Sequence, residues 1–330
     1  MSRTRSTFSV LVAGLLLGGC EGVQSVLAPR GPGAAQIAQL SWILFAFGTV
    51  VLFVVVTACW LAIRGSGAAR ARLATTTNVI ACGIAFPALT LTALLGYGVW
   101  LTQASVQRSG AGSAVRIEVV GEQWWWRVFY VGLDGHPVAS ANEIRLPAGQ
   151  PIDFVLRSAD VIHSFWVPNL GGKVDMIPGR TTHLRVSADK PGTFRGQCAE
   201  YCGGPHALMA LEVVAMSPDE FNAWLAAQSM PAAEPATPEA ERGKALFLAA
   251  GCGGCHAIRG TEATGTVGPD LTHIGSRRSV GVDTLPVTQA GLARFIVDGQ
   301  HVKPGNRMPP FRIFGDEDLG ALTTYLEGLR

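Results

Sequence analysis

The sequence predicts a multidomain membrane protein in which a two-helix transmembrane hairpin precedes an all-β domain and then an all-α domain. Three observations support this division. Two long apolar segments contain no Asp, Glu, Lys, Arg or His, short β-branched stretches follow them, and helical periodicity returns after a segment rich in Pro and Ala. A hydrophobic fraction of 48% with 15% charged residues is typical of a chain that lies partly in lipid. The net charge of +2 gives no basic footprint, so no nucleic acid is expected as a partner.

Residues 1–19 have the organisation of a signal peptide. Arg3 and Arg5 supply the positive start, and Phe8–Leu17 supplies the apolar core. The next residue completes a Leu-Gly-Gly-Cys sequence at Cys20, which resembles a bacterial lipobox. That resemblance implies cleavage before Cys20 and lipid attachment to its thiol. The alternative is a conventionally cleaved or uncleaved signal in which the cysteine is incidental.

The predicted transmembrane hairpin covers residues 36–108. Ser41–Ile63 is an uncharged run of 23 residues, and as a helix such a run reaches about 34 Å, enough to cross a hydrocarbon core of about 30 Å. Val79–Leu101 has the same length, and Pro87 inside it is tolerable where neighbouring groups satisfy the backbone. The connecting loop has no acid, and the positive-inside rule places it in the cytoplasm because of Arg64, Arg70 and Arg72.

The remaining chain divides into a β-domain, a linker and a C-terminal domain. Residues 113–226 contain short β-branched stretches separated by Gly, Pro, Asp or Asn, which predict an antiparallel sandwich or barrel. Residues 227–239 are rich in Pro, Ala and Glu and predict a semi-rigid linker. Residues 240–330 are predicted to be helical, most clearly at Asp316–Leu329, where apolar residues recur at helical spacing.

One segment of the β-domain, only twelve residues long, contains a cluster of soft metal ligands. Two thiols, an imidazole and a thioether select copper or another soft metal; they belong to Cys198, Cys202, His206 and Met209. A single-copper blue site uses one cysteine, whereas two thiolates can bridge two copper ions, each of which then needs an imidazole. His163, at the end of a predicted strand, is the best candidate for the second imidazole. A disulfide between the cysteines and a tetrahedral zinc site are the alternatives.

This cluster resembles the CuA signature of cytochrome c oxidase subunit II, and the resemblance extends over residues 36–226. Further matching segments are Gln123–Trp126, Asp160–Pro168 and Lys173–Arg180. The resemblance implies a cupredoxin fold for the β-domain and a dinuclear copper centre, CuA. It implies copper ligation by the side chains of His163, Cys198, Cys202, His206 and Met209, and by the main-chain carbonyl of Glu200.

The same resemblance implies roles for residues around the copper site. The carboxylate of Glu200 would face a magnesium or manganese ion at the border with subunit I, close to Asp175 and Arg180. Trp124 matches the aromatic residue through which electrons enter the copper site. The alternative is that an aromatic triplet on a strand only packs. Alternation along that strand puts Trp124 and Trp126 on one face and Trp125 on the other, so at most one face serves electron entry.

One departure from the family concerns proton uptake. Many members carry a carboxylate near the start of the second transmembrane helix, at the mouth of a proton path. Here Thr75–Ile80 contains none. The missing carboxylate puts a role for this chain in proton uptake in doubt.

The C-terminal domain contains the C-x-x-C-H pattern of covalent haem attachment. The thiols of Cys252 and Cys255 can add to the haem vinyl groups, and the imidazole of His256 then reaches the iron. A zinc or thioredoxin-like cysteine pair is the alternative. It is disfavoured because a histidine follows directly and no second C-x-x-C is present.

The haem iron also needs a sixth ligand. A thioether raises the reduction potential and suits electron transfer, so Met308 in a turn-rich loop is the expected ligand. His273 and His301 are the alternatives, and either would give bis-histidine ligation at a lower potential.

Residues 240–330 resemble class I cytochromes c. The matching features are the C-x-x-C-H pattern, Gly268–Leu271, the Met-Pro loop and an amphipathic C-terminal helix. The resemblance implies an all-α domain with covalent haem c. It also implies that Pro269 packs beside the axial histidine and that Tyr325 packs near Phe247.

Together these resemblances imply the electron-entry subunit of a caa-type cytochrome c oxidase. Electrons would pass from soluble cytochrome c or another small redox donor through haem c and CuA to subunit I, where oxygen is reduced. Subunits I and III and a bacterial cell membrane are the expected partners, with both redox domains on the outer side. The alternatives are the same role in a CuA-type nitric oxide reductase, or a membrane-anchored redox relay without an enzyme partner.

Overall fold

A computed structural model describes residues 21–108, 115–132 and 135–330. The predicted signal peptide and the lipidation candidate Cys20 lie outside these residues. Contacts divide the chain into two units, of which one is Gln36–Gly112 and the other combines the residues before and after it.

The first unit is helical. Its elements, with the start of α1 just outside it, are α1 Pro32–Arg64, α2 Gly67–Leu73, α3 Thr76–Ile80, a π-helical turn Ala81–Ala85 and α4 Phe86–Arg108. Helix α1 and the run Thr76–Gln103 are long and apolar enough to cross a membrane by length and composition. Their large apolar side chains are exposed, which a lipid environment tolerates and water does not.

The π-helical turn has a local cause in Pro87. Proline has no backbone N–H and therefore cannot continue the regular hydrogen-bond ladder. The turn Ala81–Ala85 ends two residues before it, and such a single wide turn lets the helix continue past a missing donor. The second apolar helix thus remains one long element despite its proline.

The β-domain is a sandwich of two five-stranded sheets, ordered β3-β2-β1-β5-β8 and β4-β10-β9-β6-β7. Strand β1 pairs in parallel with β5, and β10 pairs in parallel with β4, so the sheets are mixed rather than purely antiparallel. The strands are β1 Val115–Glu122, β2 Trp125–Val131, β3 Pro137–Ala141, β4 Glu143–Pro147, β5 Ile152–Ser158, β6 His163–Trp166, β7 Val174–Met176, β8 Thr182–Val186, β9 Gly192–Cys198 and β10 Ala210–Met216.

Aromatic side chains fill the space between the two sheets. Trp126, Phe154 and Phe165 are fully buried, and the Trp126 ring meets Phe165 edge-on with centroids 5.7 Å apart. Trp124 lies in the two-residue turn between β1 and β2, not on a strand. Alternation along β2 therefore does not govern its direction, and the expectation that Trp124 and Trp126 share a strand face does not apply.

Helices make up most of the C-terminal domain. Helix α5, Pro218–Ser229, closes the β-domain and starts with a capping box between Ser217 and Glu220. It includes the first three residues of the predicted linker, because its amphipathic pattern continues into them. The remaining elements are α6 Pro238–Ala249, a short hairpin of β11 Ser279–Val280 and β12 Leu285–Pro286, α7 Gln289–Val302 and α8 Asp316–Gly328.

The first and last helices of the C-terminal domain, α6 and α8, cross at a glycine. A Cβ atom at Gly243 would lie 2.0 Å from the carbonyl oxygen of Ala321, so only glycine lets the two backbones approach this closely. One turn further on, the rings of Phe247 and Tyr325 meet edge-on with centroids 6.2 Å apart. This crossing forms one wall of the domain core.

We expect Gly243→Ala to destabilise the C-terminal domain by about 1–3 kcal/mol, because the added methyl group overpacks the crossing. Gly320→Ala on α8 is the matched control, since its Cβ would meet only a carboxylate oxygen 3.9 Å away. The control should be neutral or stabilising by up to about 1 kcal/mol from helix propensity. The stability of each variant is measured by thermal unfolding of the full chain, followed by the absorbance of the haem expected in the C-terminal domain. Equal stabilities for the two variants would contradict the packing argument.

Candidate metal centre and cofactor cavity

His163 is fixed in one orientation at the start of β6. It is fully buried, and its Nε2 lies 2.8 Å from the Asp160 carboxylate. Gly121 on β1 makes room for the ring, because a Cβ there would lie 2.8 Å from the His163 Cδ2. The bond to Asp160 leaves Nδ1 free to act as a ligand, and this nitrogen lies 3.8 Å from the Cys198 sulfur.

The two thiols face each other at the end of β9. Cys198 is its last residue and pairs with Phe165 of β6, which places it beside His163. The sulfur atoms of Cys198 and Cys202 lie 3.7 Å apart, and both cysteines are buried. His163, Cys198 and Cys202 offer three ligand atoms within 4.8 Å of one another. This spacing is too long for a disulfide and leaves room for metal ions between the donors.

The other predicted donors complete a continuous chain of ligand atoms. His206 Nδ1 lies 3.4 Å and Met209 Sδ lies 3.8 Å from the Cys202 sulfur. On the opposite side, the main-chain oxygen of Glu200 lies 3.2 Å from the Cys198 sulfur. The structure thus brings together all six predicted donors, with two sulfur atoms at the centre, and this set fits a thiolate-bridged copper pair.

Burial and mutual proximity both act on the ionisation of the two thiols. Burial opposes ionisation of the Cys198 thiol, but contacts with His163 and with the backbone of Glu200 outweigh it and lower the pKa. Burial and the neighbouring Cys198 raise the pKa of Cys202. Two thiolates at this separation therefore require cations between them, which is what bridged metal ions provide.

The carboxylate of Glu200 points away from the thiols. Its Oε2 accepts from the Lys173 ammonium at 3.2 Å, and Asp175 lies 3.5 Å from the same ammonium. All three side chains are about half exposed. Two carboxylates held near one exposed cation form a polar surface patch in the structure.

The turn before β2 anchors the loop that carries the thiols. Gln123 Nε2 donates to the main-chain oxygen of Cys202 at 2.8 Å, and the Trp124 indole N–H donates to the same oxygen at 3.0 Å. Gly203 has φ of +109°, and a Cβ there would come within 3.2 Å of the indole ring. Glycine is therefore required both by the backbone conformation and by the close approach of Trp124.

The C-terminal domain lines most of a large apolar cavity, which residues of the β-domain complete. The two cysteines of the C-x-x-C-H pattern lie on its wall together with His256 and Met308, and its apolar lining includes Phe247, Leu292, Ile296, Leu322 and Leu326. An apolar cavity whose wall carries two thiols, an imidazole and a thioether fits a covalently attached haem.

His256 is oriented towards this cavity. Its Nδ1 lies 2.8 Å from the Pro269 carbonyl oxygen, so Nδ1 carries the proton and Nε2 is free as a ligand. A Cβ at Gly268 would lie 2.5 Å from the His256 Cε1, which shows how tightly this loop packs on the ring. Burial lowers the pKa of His256, which keeps the imidazole neutral as ligation requires.

Only one of the three candidates for the sixth ligand lines the cavity. Met308 does, and its N–H donates to the Asn306 side chain at 2.9 Å. His273 instead contacts the Ala227 carbonyl oxygen through Nε2 at 3.0 Å, and burial lowers its pKa to about 4. His301 is exposed and does not line the cavity. The geometry therefore favours Met308.

Trp124 contacts the cofactor cavity as well as the metal centre. Gln123 and Trp124 both line the cavity, and the buried ammonium of Lys303 donates to the Trp124 carbonyl oxygen. A Cβ at Gly305 would lie 3.2 Å from the indole ring, so this loop packs directly on the tryptophan. Burial lowers the pKa of Lys303 to about 7. One side chain thus lies between the two sites.

The sequence reasoning assigned no role to three of these residues. Asp160 lies three positions before His163 within a matching segment, and this i,i+3 spacing of a carboxylate and a histidine was the available signal. Gln123 adjoins the predicted entry residue Trp124. Lys303 gave no signal, because lysine is ordinarily a surface residue and its partner is 179 positions away.

Comparisons with known proteins identify both domains. Residues 131–216 match the family model described as cytochrome c oxidase subunit II, periplasmic domain. Residues 240–330 match the family model for cytochrome c. The chain therefore combines a domain of each family in one polypeptide, and the predicted fold class is confirmed.

Several curated relatives, which carry the same name as one another, match part of this sequence. Cytochrome c oxidase subunit 2 of Alkalihalophilus pseudofirmus is 38% identical over 218 residues, which are 66% of this chain and 62% of the relative. The protein of the same name from Bacillus sp. strain PS3 is 31% identical over 230 residues, which are 66% of this chain and 63% of that relative. The chain thus spans somewhat less than two thirds of the length of these relatives.

A search of solved structures gives a match to the β-domain. The periplasmic domain of subunit II of cytochrome oxidase (CoxB) of Bradyrhizobium japonicum is 30% identical, and the match covers 36% of this chain and 96% of that one with a TM-score of 0.34.

We expect Met308→Ala to open the sixth coordination position of the haem. The ferrous form should then bind carbon monoxide, because neither alternative histidine, His273 or His301, lines the cavity, and the absorption spectrum measures this directly. Met230→Ala, at an exposed position outside the cavity, should leave the spectrum unchanged. A Met308→Ala haem that still refuses carbon monoxide would show that another side chain is the ligand.

Proposed function

We propose that this chain is the electron-entry subunit of a terminal respiratory cytochrome c oxidase. The observation that carries the proposal is the position of Trp124 between a six-donor metal centre and a haem-sized apolar cavity. The Trp124 indole N–H donates to the Cys202 carbonyl oxygen, and the same residue lines the cavity, so one residue connects two sites that suit successive one-electron transfers.

The residues of the metal centre would hold two copper ions. The Cys198 and Cys202 thiolates would hold both ions, and His163 and His206 would each supply an imidazole. The remaining ligands would be Met209 and the Glu200 carbonyl oxygen. The copper ions would supply one-electron chemistry. This chain contributes the rigidity, since Asp160 fixes the His163 ring and two hydrogen bonds fix the Cys202 carbonyl.

The C-terminal cavity would hold haem c. Cys252 and Cys255 would form its thioether links, and His256 and Met308 would ligate its iron. Held by these protein ligands, the group would supply one-electron chemistry rather than a site for substrate. Electrons from a soluble donor would enter here and pass by Trp124 to the copper pair.

The proposed partners follow from the family of the β-domain. Subunit I, where oxygen would be reduced, would accept electrons from the copper pair, and subunit III would complete the complex. The two apolar helices would anchor the chain in the bacterial cell membrane, with both redox domains outside. Glu200 would share a magnesium or manganese ion with subunit I, and binding of that ion would replace the Lys173 ammonium as the partner of its carboxylate.

We expect Cys202→Ser in the full chain to abolish the mixed-valence copper signal in electron paramagnetic resonance. A serine hydroxyl does not ionise or bridge soft metal ions as a thiolate does, so the shared-electron pair cannot form. The haem absorption spectrum should remain, because the residues that would hold the haem, Cys252, Cys255, His256 and Met308, lie in the other domain.

Cys59→Ser, at an exposed position in α1, is the control and should leave both signals intact. Persistence of the mixed-valence signal in Cys202→Ser would contradict the dicopper assignment. Loss of the haem spectrum in the same variant would instead indicate misfolding, and His206→Asn would then take its place as the test of the copper signal.

A further inference from the structure

A hairpin of the C-terminal domain reaches into the core of the β-domain. It consists of β11, the turn Gly281–Thr284 and β12, and Val282 stands at its tip. Val282 is only 5% exposed and belongs to the buried cluster formed by the two sheets. Among the residues that the structure describes, it is the one member of that cluster from beyond residue 225. Val282 therefore belongs to the apolar core of a domain other than its own.

Ion pairs flank this apolar contact on both sides. Asp283 at the tip accepts from Arg195 of β9 at 2.9 Å, with both side chains about one third exposed. Arg278 at the base pairs with Glu212 of β10 at 2.6 Å, and its backbone N–H donates to Glu143 of β4 at 2.9 Å. Strands β4, β9 and β10 of one sheet thus bind the six residues 278–283.

The same hairpin also lines the cofactor cavity. Ser279–Val282 form part of the cavity wall. A Cβ at Gly281 would lie 3.0 Å from the ring of Phe295 on α7, so the hairpin is packed tightly against its own domain. A displacement of the hairpin would therefore disturb the cavity and the β-domain together.

The backbone of the tip is held in a conformation that it would not adopt alone. Gly281, Val282 and Asp283 have φ angles of +70°, +66° and +60°. For a β-branched residue such as Val282 the left-handed region is strongly disfavoured. Such a conformation persists where surrounding contacts over-determine it, and here the contacts come from the β-domain.

The linker does not explain how the domains are held. Residues 231–236 have no regular structure, and a segment of this composition sets a distance rather than an orientation. Domains joined in this way move relative to each other unless an interface holds them. The contacts of Lys303 and Gly305 with Trp124 also join the two domains, and they form only while the C-terminal domain keeps one orientation relative to the β-domain.

We infer that residues 278–286 form an interdomain latch that holds the C-terminal domain on the β-domain with the 303–305 loop against Trp124. The consequence for electron transfer follows from the proposed function. With the latch closed, transfer between the two redox sites occurs within a preformed contact and does not wait for the domains to dock.

Val282→Asp tests the latch in the full chain, because it puts a charge into the shared apolar contact. Hydrogen exchange of two segments, 278–288 and 303–308, is the measurement. Both should exchange about tenfold faster than in the parent protein, since release of the latch also releases the loop from Trp124. Ile313→Asp introduces the same charge at a position 79% exposed and should change neither segment.

Two outcomes would overturn the inference. One is unchanged exchange in both segments. The other is faster exchange in 278–288 with continued protection of 303–308, which would mean that the hairpin frays without releasing the domain. Exchange is measured without reference to copper, so a chain that failed to bind copper would contradict the proposed function and leave this test valid.

A milder pair of variants covers the case in which Val282→Asp does not fold. Asp283→Asn removes an ion pair across the interface, and Asp298→Asn removes a pair of the same 2.9 Å length within the C-terminal domain. Exchange of both segments should rise about two- to fivefold in the first variant only. Restored protection in the charge swap of Arg195→Asp with Asp283→Arg would support the latch. Equal exchange in the two Asn variants would contradict it.

Discussion

The hydrogen bond from the Trp124 indole to the Cys202 carbonyl joins the metal centre to the residue that also lines the cofactor cavity. It anchors the thiol-bearing loop of the β-domain to the turn before β2. Because the same residue accepts from Lys303 through its own carbonyl, it also fixes where the C-terminal domain can sit. A single turn between two strands therefore sets the position of the metal donors and of the cofactor cavity, and the latch at residues 278–286 supports the same arrangement from the other side.

A second constraint is the burial of two thiols beside a buried imidazole. The pairing of β6 with β9 brings Cys198 next to His163, and Asp160 then determines which nitrogen of that ring faces the sulfur atoms. Burial opposes the ionisation of both thiols, so two thiolates are stable here only if cations lie between them. Metal ions bound between the donors would supply that positive charge.

The parts of the fold governed by local rules could be predicted from the sequence. The apolar helices follow from uncharged runs, and four of the metal donors follow from their spacing within twelve residues. What the sequence could not reveal depends on contacts between distant segments. Trp124 was treated as a strand residue because the turn at Gln123 has no Gly or Pro to mark it. Lys303 resembled an ordinary surface residue, and no sequence signal pointed to an interdomain contact at Val282, since both contacts arise only when the two domains meet.

The metal content of the full chain, purified in detergent with its haem attached, tests the central claim most directly. Elemental analysis combined with electron paramagnetic resonance should give two copper ions per haem iron, with one unpaired electron shared equally by both copper nuclei. A single copper ion with an electron localised on it, or zinc in place of copper, would contradict the claim that Cys198 and Cys202 bridge a metal pair.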